Sequence, residues 1–163
     1  LDILLDAVKL IDPSIKLMVA GEFYEDAKPY REQIKRLHIE NRLILKTDFI
    51  PDSELKYYLC AADVVIQPYR NATQSGVTPL AYHFEKPMIV TNVGGLPGLV
   101  PHEQAGLVCQ PEPASLAAAV NRYFELGEQH FIPHLRSEKK KYSWHNLAAS
   151  IEELAQELQE SNT

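Results

Sequence analysis

The sequence predicts an α/β fold: a parallel β-sheet with helices on both faces. Two observations predict it. Short apolar runs of strand length alternate with longer segments whose apolar residues recur at helical spacing. The stretch from Asp63 to Val100 shows the alternation most clearly, reading strand, loop, helix, strand, loop. That is the order of a parallel βαβ crossover, which needs a helix between its strands. A parallel sheet of this kind is covered on both faces.

The elements follow in order. Leu1, Leu4, Leu5, Val8 and Ile11 have helical spacing, and this helix ends near Asp12-Pro13. Residues 15–20 (IKLMVA) form a strand that stops at Gly21-Glu22. Pro29 suits the first turn of a helix whose apolar face carries Tyr30, Ile34 and Leu37. Residues 42–46 (RLILK) are the next strand, and Asp52 is placed to cap the helix of Leu55, Tyr58 and Leu59. Strands are then expected at 64–67, 88–91 and 107–109, with a helix over 76–84 and a helical turn over 96–100. After that the alternation stops. Pro113 opens a helix with Leu116, Val120 and Tyr123 on one face, and Gly127 ends it. Residues 131–141 read as helix, with Pro133 near its start. A last helix, capped by Ser143, carries Trp144, Leu147, Ile151, Leu154 and Leu158 as an apolar stripe, and a polar tail follows Gln159.

With 163 residues, no internal repeat and no linker, one domain over residues 1–163 is expected. An apolar fraction of 45% and a charged fraction of 23% are those of an ordinary globule. The net charge of −6 argues against broad binding to nucleic acid or anionic membrane. The run Lys139-Lys140-Lys141 reads as a solvated helix face. Cys60 and Cys109 sit among apolar residues and read as small buried hydrophobes, which suits a reducing compartment. No apolar run approaches the roughly 18 residues of a membrane span, and no signal peptide is visible. A cytoplasmic location is expected, with membrane association through another domain or a bound partner left open. The chain opens at Leu1 inside a helical pattern, without Met or cap, and so reads as trimmed.

Ligands of open α/β sheets collect at the carboxyl ends of the strands. The loop Tyr69 to Ser75, followed by Gly76, lies at such an end. Ser75 suits an N-cap, Gly76 lets a ligand approach the backbone, and helix amides there favour a phosphate. A plain capped helix has the same local sequence. Gly94-Gly95 and Gly21-Glu22 end two other strands; each is compatible with a structural turn, and Glu22 also with a bond to a ligand hydroxyl. His83, beside the loop, reads as packed or solvated rather than as a base. Neither the six histidines nor any Asp-x-Asp gives a metal-ligand spacing, so no metal and no cofactor are assigned. Walker and G-x-G-x-x-G loops are absent.

These pieces, in their order and spacing, resemble the C-terminal domain of GT-B-fold glycosyltransferases of the large retaining family four. The matching segments are LDILLDAVKLI, KLMVAGE, LILKTDFIPDSELKYYLCAADVVIQPY, SGVTPLAY, KPMIVTNVGGLPGLV, AGLVCQP and the late YSW. The resemblance implies a Rossmann-like sheet that lacks its first strand here, with the strands at 15–20 and 64–67 lining the vacancy. An open edge of that kind invites pairing with another chain. It further implies transfer of a hexosyl group from a nucleotide-sugar to a saccharide or lipid-linked acceptor, with retention and without metal, as in polysaccharide biosynthesis. An N-terminal acceptor domain, absent from this chain, would complete the site, and the fragment alone would be inactive.

The resemblance implies that Phe49, Ile50 and Pro51 border the base and that Gly76, Val77 and Thr78 face the phosphates. Gly21, Glu22, Thr73, Ser75 and Ala81 complete the donor site, and Gln74 is the catalytic candidate. The chain departs from the family in four places. Gln74 and Ala81 fall closest to two family glutamates, and Asn92 and Gly98 stand where Asp and Glu are common. Two other readings share the scaffold. One is a nucleotide-sugar epimerase. The other is a non-catalytic domain that binds a nucleotide-sugar or a partner, a reading that the missing glutamates suggest.

Overall fold

A computed structural model describes residues 1–141, 146, 148, 151–153 and 156. Five strands alternate with helices. Helix α1 (Asp2–Ala7) runs into a 3-10 turn (Val8–Leu10), followed by β1 (Leu17–Ala20), α2 (Lys28–Leu37) and β2 (Leu43–Lys46). Then come α3 (Asp52–Ala61), β3 (Val65–Gln67), α4 (Val77–His83), β4 (Met88–Thr91), α5 (Leu96–Leu99) and β5 (Gly106–Cys109). Two long helices follow, α6 (Pro113–Leu126) and α7 (Glu128–Lys141).

Every ladder is parallel, and the strands fall into two groups. β1 pairs with β2, Leu17 opposite Leu43 and Ala20 opposite Lys46. β3, β4 and β5 form the second group, Val65 opposite Met88 and Met88 opposite Gly106. Among the described residues no ladder joins β1 to β3. A cavity of about 1100 Å³ lies between them, touching Leu17 and Met18 on one side and Val64 and Ile66 on the other. The expected vacancy is therefore present where the sequence placed it.

The core surrounds β4. Met88, Ile89, Val90 and Thr91 are each fully buried, as befits a central strand covered on both faces. Ile3, Leu5 and Val8 of the first helical stretch and Leu116, Val120 and Tyr123 of α6 belong to the same core, as do Phe131 and Leu135 of α7. The Tyr123 ring stacks on Phe131 with centroids 5.5 Å apart, and its hydroxyl donates to the Asp63 carbonyl at 2.7 Å. By contrast β2 is an edge strand, and Ile44 is 48% exposed.

Several local expectations are corrected. β1 starts at Leu17 rather than residue 15, because Ser14 bonds back to the Asp12 carboxylate and the Ile15 amide donates to the Asp12 carbonyl at 3.0 Å. That turn uses groups the ladder would need. Asp52 does not cap α3: Pro51 holds the cap position, and no side-chain bond closes the end. As the first helical residue Asp52 still favours the helix dipole. Cys60 is exposed, and only Cys109 is buried; burial pushes the Cys109 thiol up to about 11. Helix α7 begins at Glu128, so Pro133 lies inside it. Ser143, Trp144, Leu147, Leu154, Leu158 and the tail lie outside the described residues, and Ile151 is 59% exposed.

The lysine run is more than a solvated face. Lys139 donates to the His83 carbonyl at 2.8 Å and pairs with Glu85 at 3.4 Å. Arg136 donates to the other Glu85 oxygen at 2.9 Å. These contacts tie α7 to the end of α4. The hydrogen bond from Arg136, opposed by slight burial, holds the Glu85 carboxyl below its usual range.

Two predictions follow from this packing. Ile89→Ala should cost about 2–5 kcal/mol, because it empties a fully buried site, whereas Ile44→Ala should stay within about 0.5 kcal/mol; urea titration of both variants reads the difference. The depressed Glu85 value means that its contribution is present above the unfolded carboxylate range and lost as pH falls through the folded value. Stability of Glu85→Gln should therefore fall less than that of the parent between about pH 5 and pH 3, around the ordinary glutamate value near 4.3.

Candidate active site at the carboxyl edge

The loop after β3 is held at both ends by buried polar contacts. β3 ends at Gln67, and Pro68 opens the loop. Gln67 and Thr78 are each 1% exposed, and the Thr78 hydroxyl lies 3.2 Å from both amide atoms of Gln67. This contact fixes the first turn of α4 against the end of β3. The Thr91 hydroxyl, at the end of β4, donates to the Tyr69 carbonyl at 2.6 Å.

The glycine pair after β4 fixes the middle of the same loop. Gly94 has φ +52, and a β-carbon there would lie 1.5 Å from the Ala72 carbonyl oxygen. At Gly95 it would lie 2.7 Å from the Thr73 carbonyl, to which the Gly95 amide donates at 3.2 Å. Only glycine fits so close an approach. The pair is thus a clamp on residues 72–73.

Between these anchors Thr73, Gln74 and Gly76 are exposed, while Ser75 and Val77 are half-buried. Gly76, not Ser75, holds the cap position of α4. The Ser75 hydroxyl accepts from the Val77 amide at 3.2 Å, and its carbonyl accepts from the Thr78 amide at 3.3 Å. Two of the amides expected to be free are therefore engaged. Thr78 and Ala81 turn into the core, with exposures of 1% and 0%, and their side chains offer no surface to a ligand.

The other candidates occupy the same edge. Gly21, at φ +119, ends β1, and its amide donates to the Lys46 carbonyl at the end of β2. That bond brings Gly21 and exposed Glu22 beside the segment leading to Phe49, Ile50 and Pro51. Phe49 is 71% exposed, and Ile50 and Pro51 are half-buried. The start of α1 links the two strand groups here. Arg70 pairs with the Asp2 carboxylate at 2.6 Å, while Gln33 of α2 donates to the Asp2 carbonyl at 3.1 Å and to the Asp6 carboxylate at 2.7 Å. Partial burial pushes the Asp2 carboxyl up, but Arg70 and the Ile3 amide outweigh it and hold the group below its usual range.

Gln67, Thr91, Asp2 and Arg70 escaped the sequence reading. A signal existed for the first two, since each is the polar residue that closes an apolar run. The large cavity lies away from this edge, toward the amino ends of β1 and β3, among residues 9–18 and 61–64. Among the described residues no three His, Cys, Asp or Glu side chains cluster as metal ligands would. No helix among them is long and apolar enough to cross a membrane.

A parallel sheet with glycine turns and an anchored polar loop at its carboxyl edge defines an α/β domain of the doubly wound class, whose ligands as a rule bind at that edge. Residues 1–125 match the family described as glycosyl transferases group 1, and the chain belongs to that family. It is 31% identical over 140 residues to an uncharacterised glycosyltransferase of Methanocaldococcus jannaschii, an alignment covering 82% of this chain and 35% of that protein. Among solved structures it resembles Anabaena HepE in complex with UDP, with a TM-score of 0.83 at 22% identity, over 95% of this chain and 44% of that one. Sucrose-phosphate synthase from Thermosynechococcus elongatus gives 0.76 at 20%, over 98% and 42%. The likeness confirms the GT-B Rossmann-like fold. The chain spans less than half the length of these relatives.

The clamp gives a direct test. Gly94→Ala should destabilise by at least about 1–3 kcal/mol, through both its positive φ and the collision with Ala72. Gly98→Ala, where a β-carbon meets nothing within 4 Å, should be neutral or stabilising by up to about 1 kcal/mol. Denaturation midpoints of the two variants decide it.

Proposed function

We propose that this chain is the donor-binding domain of a retaining, metal-independent hexosyltransferase that takes a nucleotide-sugar. The observation that carries the reading is the anchored loop 68–76, which presents Gln74 and Gly76 to solvent at the carboxyl edge in a chain of this family. The solved HepE complexes with UDP and with UDP-glucose support a uridine nucleotide as the first donor to test.

In this reading the base lies against Phe49, Ile50 and Pro51. The diphosphate meets the Gly76 amide, since Val77 and Thr78 donate to Ser75. Gln74 hydrogen-bonds the sugar, and Glu22 approaches from the end of β1. Orientation across a cleft supplies much of the rate in a two-domain enzyme, so the acceptor domain would complete the active site. With neither Asp-x-Asp nor a histidine cluster in the sequence, amides and cations would carry the phosphate charge.

A second reading is a domain that binds donor without turnover. It is favoured by Gln74 and Ala81 at the positions nearest the family glutamates, and by the burial of Ala81.

Calorimetry with UDP and UDP-glucose, in EDTA, tests the site on this chain. A charge-assisted hydrogen bond is worth about 1.5–3 kcal/mol, so Gly76→Val should weaken both ligands by roughly 10- to 100-fold. A β-carbon at Gly76 meets nothing within 4 Å, so the variant should remain folded. Gln74→Ala should weaken UDP-glucose and leave UDP nearly unchanged. If Gly76→Val binds both as tightly as the parent, the diphosphate lies elsewhere; if the parent binds only with added manganese, metal independence fails. Sugar transfer by this chain alone would overturn the need for a second domain. In the full-length protein, donor binding without any transfer would select the second reading.

A further inference from the structure

The anchored loop carries a cation whose partner is poorly matched to it. Arg70 donates from Nε at 3.0 Å and from Nη2 at 2.6 Å, and both bonds go to one oxygen of Asp2, Oδ2. A guanidinium fork suits two oxygens side by side, one for each N–H. Here both donors converge on a single oxygen, and among the described residues nothing takes Nη1. The pair is also wet, the Arg70 side chain being 62% exposed and that of Asp2 41%. Such pairs are worth little, because water competes for both charges. A better-matched anion can therefore take Arg70 from Asp2 at small cost.

The loop brings that cation toward the start of α4. The Tyr69 hydroxyl lies 3.3 Å from the Ser75 hydroxyl, so the loop closes on itself. Arg70 stands one residue from that contact on one side, and Gly76 one residue from it on the other. The Val77 and Thr78 amides already serve Ser75, which leaves the Gly76 amide with little help against a multiply charged group. The surroundings are acidic: Asp2 and Asp6 share α1, and Glu22 is exposed on the same edge. An anion held here needs a cation close by to offset their repulsion.

We propose that Arg70 is the cation of the donor site, held on Asp2 while the site is empty and turned to the diphosphate when a nucleotide binds. The inference rests on the donor-binding reading above. Asp2 is then a competitor for Arg70 rather than a support of the site, and its loss tightens binding. A purely structural tie makes the opposite demand: breaking it from either end loosens the loop and weakens every ligand. The sign of the Asp2 effect separates the two.

Calorimetry on the 163-residue chain uses three probes: UDP, inorganic pyrophosphate and uridine. Arg70→Gln should weaken UDP and pyrophosphate by about 10- to 100-fold and leave uridine unchanged. Arg70→Lys, which keeps the charge without the fork, should recover part of the loss. Asp2→Asn should tighten UDP and pyrophosphate by about two- to fivefold, the range of an exposed pair. Because the pair is exposed, each variant should keep the parent's Tm to within about 5 °C. Equal UDP affinity in the parent and Arg70→Gln overturns the proposal, and so does weaker UDP binding by Asp2→Asn. Loss of uridine together with UDP in Arg70→Gln marks a structural tie and overturns it too. If the parent binds pyrophosphate through Arg70 and UDP no more tightly, the cation stands and the nucleotide reading falls. If the parent binds neither UDP nor pyrophosphate, both fall.

Discussion

The contact between Gln67 and Thr78 is the constraint on which the candidate site depends. Both side chains are removed from water, and each supplies what the other needs. A buried polar group left without a partner costs about 1–3 kcal/mol, so the pair tolerates one relative placement of β3 and α4. The loop between them inherits that placement. Thr91 then anchors Tyr69 from the neighbouring strand, and the Gly94-Gly95 turn closes on residues 72–73. An exposed loop is thereby given fixed ends and a fixed middle. Gln74 and Gly76 reach solvent from a defined base, which is what recognition of an extended polar ligand requires.

The order of elements was legible because each apolar run is closed by glycine, proline or a polar turn. β4 matched the expected bounds at both ends, and β1 and β3 flank the vacancy as the resemblance implied. The misses have a common cause: side chains competing for main-chain groups. Asp12 captures Ser14 and shortens β1, while Ser75 captures two amides that a simple helix start would leave open. A strand-end rule was enough to place these loops at the carboxyl edge of the sheet. That rule does not say which residues of α4 face outward: the resemblance puts Thr78 and Ala81 beside Gly76, and both side chains belong to the core. Cys60 was misjudged for a related reason. Its neighbours are apolar in sequence, but α3 buries Leu59 and leaves the next residue in solvent.

The cavity and the candidate site lie apart, and their chemistries differ accordingly. The cavity sits toward the amino ends of the strands, where aliphatic residues such as Met18, Ile44 and Ile66 mix with Lys9, Lys16 and Glu125. The carboxyl edge instead gathers glycine turns, the exposed Thr73, Gln74 and Gly76, and the Asp2–Arg70 pair.

The divided sheet also bears on how the chain folds. Each ladder joins strands that are consecutive in sequence, so both strand groups can assemble from nearby segments. Joining the groups is a different matter. Asn121 of α6 accepts from the Asp12 amide at 3.0 Å and donates to the Leu10 carbonyl at 3.1 Å, across sequence separations of 109 and 111. Such closures carry the largest loop entropy in the chain and reward it late. Docking of α6 on the first helical stretch is thus the step that turns two locally built halves into one cooperative unit.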